Sequence, residues 1–361
     1  MKKELMLESL RNQGIINPRR IEKLIQKAIH NQKLDLSGLI VLTEAASGNY
    51  VVTPLIAALA GADKVFAYTK DSIYKKATEV EKLTSRLAKF CGINNKIEVL
   101  FEKSPQVIHQ ADLVTNLGFI RPIDRKFISA MKDNSVISLM SEAWELREED
   151  LDLKACREFS VPVMGTDEEH PGLDVFRYCG NLCLKMLFEL QIEAYKSKIV
   201  IVSDDKFGNV IEKTLKSIGG EVYLVKELKT DFSRTYLRHA DVIVIANYTS
   251  LDIFIGTNGH ISAMELYTLS PGISVIQFAG NVCIEELKEF GIPYFPKHKI
   301  GSLRMGLTLA DLGPTPVIDL HCAGLKVGEE MHRAKLLGLS GQSLFDYVTK
   351  NSPAQVLTQS C

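Results

Sequence analysis

The sequence lacks most of the features that mark membrane-bound, secreted or nucleic-acid-binding proteins. Its 361 residues carry a formal net charge of only −1, so no strong field favours binding to DNA, RNA or an anionic membrane. No apolar run approaches the ~20 residues that span a bilayer, and residues 1–5 lack the apolar core of a signal peptide. The seven cysteines include no C-x-x-C pair and are typical of reduced, mostly buried thiols. We therefore expect a cytoplasmic protein without a nucleic-acid or membrane partner.

What the sequence does contain is a regular alternation of apolar runs and helical segments. At ~100–200 residues per domain, its length predicts two domains. Residues 4–33 have the apolar spacing of helices, which Gly14 and Pro18 divide. In the first half the predicted strands cover 39–42, 64–68, 97–101, 111–117 and 135–140, and the helices between them cover 53–60, 72–90, 105–110 and 122–131. Such alternation indicates a parallel sheet covered by helices.

The pattern returns in the second half, with predicted strands at 198–202, 221–225, 240–246 and 273–278. Short strings match in the same order: ADLV at 111–114 with ADVI at 240–243, SVI at 135–137 with SVI at 274–276, and FSVP at 159–162 with FGIP at 290–293. We interpret these as a structural duplication. The alternative is that any two doubly wound domains share such strings.

The predicted fold is therefore α/β, with two doubly wound, parallel-sheet, Rossmann-like domains and a cleft between them. We assign residues 1–172 with 326–361 to a substrate-type domain and 181–325 to a dinucleotide-binding-like domain. Residues 181–195 are predicted as a connecting helix, 315–320 as a strand, and 328–348 as a helix that crosses back to the first domain.

The loop after the first strand is a candidate substrate site. Ligands of open α/β sheets bind beyond the carboxyl ends of the strands, and a helix beginning there favours anions. The candidate residues are Glu44, Ser47, Gly48, Asn49 and Thr53. Simple capping of the following helix is the alternative. A transferase that uses S-adenosylmethionine or a related nucleoside is another, although Gly48 is the only glycine of the loop.

The turn after the strand at 198–202 occupies the place of a dinucleotide-binding G-x-G-x-x-G sequence. Ser203 and Asp205 replace the first two glycines, and only Gly208 remains. A side chain at the second position crowds the pyrophosphate, and the Asp205 carboxylate repels it. Glu227 follows the next strand, where an acidic group accepts hydrogen bonds from ribose hydroxyls.

Two further loops hold candidate acid–base groups. Glu169 and His170 lie in a polar run after the predicted strand near 161–164, and His170 is a candidate general acid or base. A solvated linker is the alternative, and adjacent residues rarely converge on a metal, so we predict no metal there. In the second half, His298 and Arg304 belong to a basic segment that suits a carboxylate or phosphate, and a solvated basic loop is the alternative. His321, after the predicted strand at 315–320, is better explained as a buried, hydrogen-bonded histidine.

The layout resembles that of S-adenosylhomocysteine hydrolase and, more distantly, of the D-2-hydroxyacid and alanine dehydrogenases. Three stretches carry the resemblance: 174–202, 240–256 and 277–281. The resemblance implies a discontinuous substrate lobe and an inserted NAD lobe with a catalytic cleft between them. It places Ser203, Asp205 and Gly208 at the pyrophosphate, Glu227 at the ribose, and Asn247 and Asn281 beside the nicotinamide. The chain departs from the hydrolase in its eroded glycine sequence, in having no match to the catalytic lysine–aspartate pair, and in ending differently at 358–361.

Three functions follow as hypotheses. The first is an NAD(P)-dependent oxidoreductase-like enzyme that acts on a small polar metabolite, with NAD or NADP as cofactor. The second is the nucleoside- or S-adenosylmethionine-using transferase. The third is a non-catalytic metabolite-binding protein with a degenerate cofactor site, which the acidic side chain of Asp205 suggests. The expected partner is a small-molecule substrate, and a homodimer is left open.

Overall fold

The chain divides into two compact units of contacting residues. A computed structural model describes residues 2–357, and the chain end at 358–361, with Cys361, lies outside the described residues. Unit 1 comprises residues up to 175 together with those from 313 onward, and unit 2 comprises Phe176–Leu312. The six cysteines within the described range are free thiols.

Unit 1 begins with two helices and continues as alternating strands and helices. Its first helices are α1 (Lys2–Arg11) and α2 (Pro18–Gln32), divided at Gly14 and Pro18 as predicted. The strands that follow are β1 (Ile40–Glu44), β2 (Lys64–Tyr68), β3 (Ile97–Leu100), β4 (Leu113–Thr115), β5 (Val136–Ser138) and β6 (Val163–Thr166). The helices between them are α3 (Val52–Leu59), α4 (Ala77–Phe90), α5 (Pro105–Gln110), α6 (Arg125–Ser129) and α7 (Leu153–Glu158). Helix α4 begins five residues later than predicted because the Asp71 side chain accepts a hydrogen bond from the Ala77 N–H and fixes the start there.

Unit 2 repeats the alternation in a shorter form. Its helices are α8 (Tyr178–Glu189), α9 (Lys206–Ser217), α10 (Asp231–Thr235), α11 (Ala263–Leu269) and α12 (Ile284–Glu289). Its strands are β7 (Lys198–Val202), β8 (Glu221–Val225), β9 (Val242–Ala246), β10 (Ile253–Ile255), β11 (Ser274–Ala279), β12 (Asn281–Val282) and β13 (Tyr294–Phe295). The predicted connecting helix is shorter than expected, because the chain leaves α8 through Gln191, whose φ is 58°.

The chain then returns to unit 1 through α13 (Pro314–Leu336), α14 (Gly341–Asn351) and β14 (Ala354–Gln355). The predicted strand at 315–320 is wrong, since these residues form the first turns of α13. Pro316 and Val317 favour an extended chain locally, but Pro314 is well suited to the first turn of a helix, and tertiary packing decides the rest. The whole of α13 belongs to unit 1, whereas the predicted boundary at 325/326 cuts it.

Helix α13 is buried along most of its length, including the charged side chains of Lys326, Glu329 and Glu330. It packs against α2, α3 and the strands β4, β5 and β6 of unit 1. Lys326 Nζ lies 3.0 Å from Glu329 Oε2 and 2.7 Å from Glu330 Oε1, so these buried charges are paired with one another. Such pairing is what makes a charged segment tolerable inside a core. Among the helices within residues 2–357, none combines the length and apolar character needed to cross a bilayer.

Both large sheets are built around parallel strands. In unit 1 the order is β14-β6-β5-β4-β1-β2-β3, with β14 antiparallel to β6. In unit 2 the order is β13-β11-β9-β7-β8, and β10 pairs with β12 in a small separate sheet. Five consecutive strands of unit 1, β6-β5-β4-β1-β2, therefore correspond one to one with β13-β11-β9-β7-β8.

The matched sequence strings lie in or directly before corresponding strands, and the two Ala-Asp strings make corresponding contacts. Asp112, just before β4, accepts a hydrogen bond from the Ile40 N–H at 2.8 Å. Asp241, just before β9, accepts one from the Lys198 N–H at 2.7 Å. In each unit this aspartate joins the start of one strand to the start of its central neighbour. The shared bond gives the repeated Ala-Asp string a physical role and supports a structural duplication.

Candidate functional site

The carboxyl ends of β7 and β9 form the first candidate site. These neighbouring strands stand where the strand order of unit 2 reverses, since β8 lies on one side of β7 and β9 on the other. Ligands of open α/β sheets bind outside such a reversal. Residues 203–205 follow β7, and Asn247 and Tyr248 follow β9, so the structure brings together two of the loops singled out in the sequence.

The Asp205 carboxylate occupies the centre of this site. Its Oδ1 accepts hydrogen bonds from the Phe207 N–H and the Ser203 hydroxyl, both at 3.0 Å. Its Oδ2 accepts one from the Tyr248 N–H at 2.7 Å. The carboxylate therefore caps α9 and ties its start to the end of β9. N–H groups at a helix N-terminus are the usual donors to a phosphate, and here the chain's own anion engages one of them.

Gly208 keeps the close helix–strand contact that the last glycine of a dinucleotide-binding turn provides. A Cβ at this position would lie 2.5 Å from Ser203 Cβ and 2.8 Å from Leu224 Cδ1, so no larger residue fits without movement. The Gly208 N–H also donates to Ser203 Oγ at 3.1 Å. Ser203, Asp205 and Gly208 are thus one hydrogen-bonded turn, as their spacing in the sequence suggests.

Glu227 lies just beyond β8, the strand next to β7, and is partly exposed. Its carboxylate forms no ion pair or hydrogen bond with the residues that the structure describes. The preceding Lys226 pairs instead with Asp204, at 3.0 Å between Nζ and Oδ1, and both side chains are exposed. The end of β8 therefore offers one free carboxylate and one loosely held positive charge.

Asn247 and Asn281 lie at the ends of neighbouring strands, because β9 pairs with β11 and Asn281 follows Gly280. The Asn247 side chain accepts a hydrogen bond from the Ser250 N–H at 3.1 Å, which closes its own turn. Asn281 donates to the Leu251 carbonyl at 2.9 Å and accepts from the Ser302 hydroxyl at 2.9 Å. Both amides are thus held by the protein itself.

The Ser302 contact fastens the basic segment to this edge of unit 2. His298 and Arg304 both lie on that segment, are exposed, and form no side-chain hydrogen bond with any residue between 2 and 357. The structure therefore brings Arg304 and His298 to the Asn281 side of the sheet without fixing their side chains. The exposed Arg304 guanidinium, which has no partner among the described residues, is able to meet an anionic ligand.

A histidine–aspartate pair nearby was not predicted. His260 is buried and its Nε2 lies 2.9 Å from Asp252 Oδ2, which also receives Lys229 Nζ at 3.0 Å. The hydrogen bond from His260, and then that from Lys229, hold the pKa of Asp252 below its usual range. Because the three residues are separated in sequence and follow no motif, only the folded chain shows that they meet.

The second candidate site lies in unit 1, outside the carboxyl ends of β1 and β4. The strand order reverses there, with β2 on the other side of β1. Glu44, the last residue of β1, is buried and accepts a hydrogen bond from the Phe119 N–H at 2.9 Å. Burial raises the pKa of Glu44 above its usual range, although the Phe119 N–H and the charges of Arg121 and Lys70 act in the opposite direction. A buried carboxyl that favours its protonated form is able to donate or accept a proton.

The other predicted residues of this loop have different surroundings. Ser47 precedes the 3-10 helix Gly48–Val51 but makes no capping hydrogen bond with its side chain. Gly48 has a φ of +63°, and a Cβ there would meet no atom within 4 Å, so the loop is open at this point. Asn49 lies in the same 3-10 turn. Thr53 is fully buried in α3, and its hydroxyl lies 2.6 Å from His321 Nδ1.

The His321 ring is completely enclosed, in agreement with the prediction of a buried, hydrogen-bonded histidine. Burial lowers its pKa to about 3, so the ring is neutral near neutral pH. The hydrogen bond to Thr53 therefore joins α13 to α3 inside unit 1 through two neutral groups. Thr53 and His321 thus contribute to the packing of unit 1, and their burial keeps both side chains out of reach of a ligand.

Glu169 and His170 lie in a turn after β6, at the same carboxyl edge of the sheet as Glu44 but three strands away from it. Strand β6 is separated from β1 by β5 and β4, which at ~4.8 Å per strand corresponds to about 14 Å. The His170 Nδ1 accepts a hydrogen bond from the Gly172 N–H at 3.2 Å, and the Glu169 N–H donates to Asp167 at 3.0 Å. The structure therefore places Glu169 and His170 in a local turn of unit 1. The third predicted acid–base residue, His298, belongs to unit 2.

The internal repeat points to a further candidate site residue that the sequence analysis did not name. Asn116 follows β4 just as Asn247 follows β9, and it is buried with its Oδ1 accepting from the Met140 N–H at 2.8 Å. The matched ADLV and ADVI strings mark the two strands, but β9 continues two residues further than β4, so only the strand ends seen in the structure align the two asparagines. The Phe119 N–H, which reaches Glu44, carries no such signal because a backbone group has no sequence signature. No group of three or more His, Cys, Asp or Glu side chains within residues 2–357 is arranged to hold a metal ion.

These edges define a doubly wound α/β protein of two Rossmann-like units. No protein-family model matches the sequence, and a search of curated proteins finds no match. Among solved structures, the chain is similar to a dipicolinate synthase subunit from Bacillus halodurans, with 9% identity, a TM-score of 0.50, and coverage of 80% of this chain and 96% of that one. This likeness confirms the predicted fold, which is all that such a low identity shows.

Two further structures are similar at lower scores. The corresponding dipicolinate synthase polypeptide from Bacillus subtilis has 10% identity and a TM-score of 0.49, covering 85% of this chain and 98% of that chain. The NAD+-bound 3-phosphoglycerate dehydrogenase of Entamoeba histolytica has 12% identity and a TM-score of 0.42, covering 84% and 97%.

Proposed function

We propose that the protein is an NAD(P)-dependent oxidoreductase-like enzyme that acts on a small polar metabolite, with the nucleotide held by unit 2. The observation that carries the proposal is the free carboxylate of Glu227, one strand away from the hydrogen-bonded 203–208 turn. An acidic group after the second strand of such a unit accepts hydrogen bonds from ribose hydroxyls. Gly208 adds the close helix–strand contact that the dinucleotide-binding turn requires.

The pyrophosphate does not fit the same turn in this arrangement. Asp205 already accepts the N–H groups of Phe207 and Tyr248, and its charge would repel a phosphate brought to the start of α9. The proposal makes two predictions about affinity, namely that Glu227 strengthens nucleotide binding and that Asp205 weakens it.

Isothermal titration calorimetry with NAD, NADH, NADP and NADPH tests the proposal on the full chain. Replacing Glu227→Gln removes the charged acceptor and is expected to weaken binding about tenfold. Replacing Asp205→Asn keeps a capping oxygen but removes the charge, and is expected to strengthen binding by a similar factor. Glu289→Gln, at an exposed position on α12, is the matched control and should leave the affinity unchanged.

The Asp205 contacts themselves favour a second candidate, a metabolite-binding protein whose nucleotide site is closed. The same titration separates the two functions. If neither the natural protein nor Asp205→Asn binds any of the four nucleotides, the oxidoreductase proposal is overturned and the second candidate gains. S-adenosylmethionine, added as a fifth ligand, tests the transferase hypothesis.

A further inference from the structure

A cavity of about 640 Å³ opens in unit 1, between the segment after β5 and helix α7. Its size is within the range of ~300–1,000 Å³ that holds small ligands. None of its lining residues belongs to either candidate site described above. It has an aromatic side chain, an apolar floor and several cations, and these three features together indicate a class of ligand.

The aromatic side chain is Trp144, which the surrounding structure holds in place. Its indole N–H donates to the buried Glu142 at 2.5 Å. The next residue towards β5, Ala143, donates its backbone N–H to Gln355 Oε1 at 2.6 Å and so joins this wall to β14. A Cβ on Gly165 of β6 would lie 2.7 Å from the Ala143 nitrogen, so the glycine lets the turn sit directly against the sheet. The indole nonetheless remains partly exposed to the cavity and to solvent.

Leucines supply the apolar part of the lining: Leu146, Leu151, Leu153 and Leu357. A smaller cavity of about 80 Å³ shares Leu153 and Leu357 with it and continues towards Val161, Val163 and Phe345. A ligand with a flat apolar group would exclude water from these surfaces and from the Trp144 ring.

The cations of the lining are only partly balanced. Arg147, Lys154 and Arg157 line the cavity together with Glu148 and Asp152. The Asp152 carboxylate is engaged in capping α7, where it accepts from the Ala155 N–H at 2.8 Å. Arg147 is half-buried, and neither it nor Arg157 forms an ion pair or side-chain hydrogen bond with a described residue. Unpaired guanidinium groups beside an apolar surface are suited to carboxylates and phosphates.

We propose that this cavity binds a small organic anion that carries an aromatic group, with the anion at Arg147 and Arg157 and the ring against Trp144 and the leucines. The site is separate from the residues proposed to hold a nucleotide, so its outcome does not depend on that proposal. It assigns unit 1 a ligand of its own, away from the ends of β1 and β4.

The chain offers a direct reporter, since Trp144 is its single tryptophan. Phenyl phosphate titrated into the full-length protein should change the tryptophan fluorescence saturably, whereas the neutral benzyl alcohol should bind at least about tenfold more weakly. Arg147→Gln and Arg157→Gln should each weaken phenyl phosphate about tenfold. Arg86→Gln, an exposed arginine on α4, is the control and should have no effect.

Calorimetry on Trp144→Phe, which removes the reporter but keeps an aromatic ring, should still detect phenyl phosphate. Circular dichroism identifies any variant that fails to fold. If one of the two arginine variants is lost in this way, the other one tests the proposal. The proposal is overturned if phenyl phosphate gives no saturable change, if benzyl alcohol binds equally well, or if the folded Arg147 and Arg157 variants bind like Arg86→Gln.

Discussion

The backbone N–H of Tyr248 donates a hydrogen bond of 2.7 Å to the carboxylate of Asp205. The two residues follow neighbouring strands, β7 and β9, at the edge where a doubly wound sheet takes its ligand. The Asp205 carboxylate thus occupies the position at which similar folds bind a phosphate. The bond explains why an acidic residue is stable at the start of α9, because the same group caps the helix and fastens the adjacent loop.

This arrangement predicts that Asp205 stabilises the fold. Asp205→Ala leaves the N–H groups of Phe207 and Tyr248 without their acceptor, so we expect the free energy of unfolding to fall by about 1–3 kcal/mol. The neighbouring Asp204→Ala removes only an exposed pair with Lys226 and should cost less than about 1 kcal/mol. Urea denaturation followed by circular dichroism compares the two variants, and equal losses would contradict the role given to Asp205.

Gly208 provides a second prediction at the same turn. In Gly208→Ala the new methyl group would stand 2.5 Å from Ser203 Cβ, and overpacking of this kind costs about 1–3 kcal/mol. Asn209→Ala is the matched control, since it is the next residue of α9 and exposed, and it should be neutral or slightly stabilising. Thermal unfolding measures both. A Gly208→Ala variant as stable as the natural protein would show that the helix moves away from β8 without penalty.

These two residues also show how far the sequence determines the site. Apolar runs and residue spacing are local signals, and they predict the strand ends and the 203–208 turn. The same spacing predicts that the Asp205 side chain crowds a pyrophosphate at this turn. Tyr248 contributes a backbone N–H, which leaves no trace in the residue type. The misassigned segment at 315–320 has a similar cause, because its strand-like residues are buried as a helix by partners hundreds of residues earlier in the chain. Contacts of that kind exist only in the folded protein.

Because His321 is buried in unit 1, we expect the free energy of unfolding to decrease in acid. Its pKa falls from the usual 6.5 to about 3 in the folded protein because of burial, so in that interval the unfolded chain binds the extra proton. The free energy of unfolding should therefore decrease as the pH falls from about 6.5 towards 3, by up to about 1.4 kcal/mol per pH unit for this group. The pKa of His332 is also lowered by its burial and adds to the slope.

His321→Gln tests this contribution, since glutamine is neutral throughout and still able to meet the Thr53 hydroxyl. We expect the variant to be less stable near neutral pH, by about 1–3 kcal/mol from disturbed packing, and to have a shallower pH slope below 6.5. Above that interval the two stability curves should run parallel, which provides an internal control. Equal slopes throughout would refute the assignment of the proton to His321.

For Glu44 we expect the free energy of unfolding to depend on pH in the opposite direction. Its pKa is raised in the folded protein by burial, so the native state holds a proton that the unfolded chain has already lost. Stability from this group is present below its unfolded pKa and is lost as the pH rises through the folded value. Glu44→Gln keeps the shape and an acceptor for the Phe119 N–H but has no proton to lose. The variant should therefore be more stable than the natural protein near neutral pH, and the difference should shrink in acid.

The control for this last prediction is Glu98→Gln on β3 of the same sheet, whose carboxylate pairs with Lys64 at 2.7 Å and is half-exposed. Removing that surface pair should change stability by less than about 1 kcal/mol. If Glu44→Gln instead lowers stability near neutral pH, the carboxylate is held ionised by Arg121 and Lys70 more strongly than burial opposes it. A gain in stability would mean that the chain keeps a destabilising carboxyl at the candidate ligand edge of unit 1, which is the pattern expected of a residue retained for function.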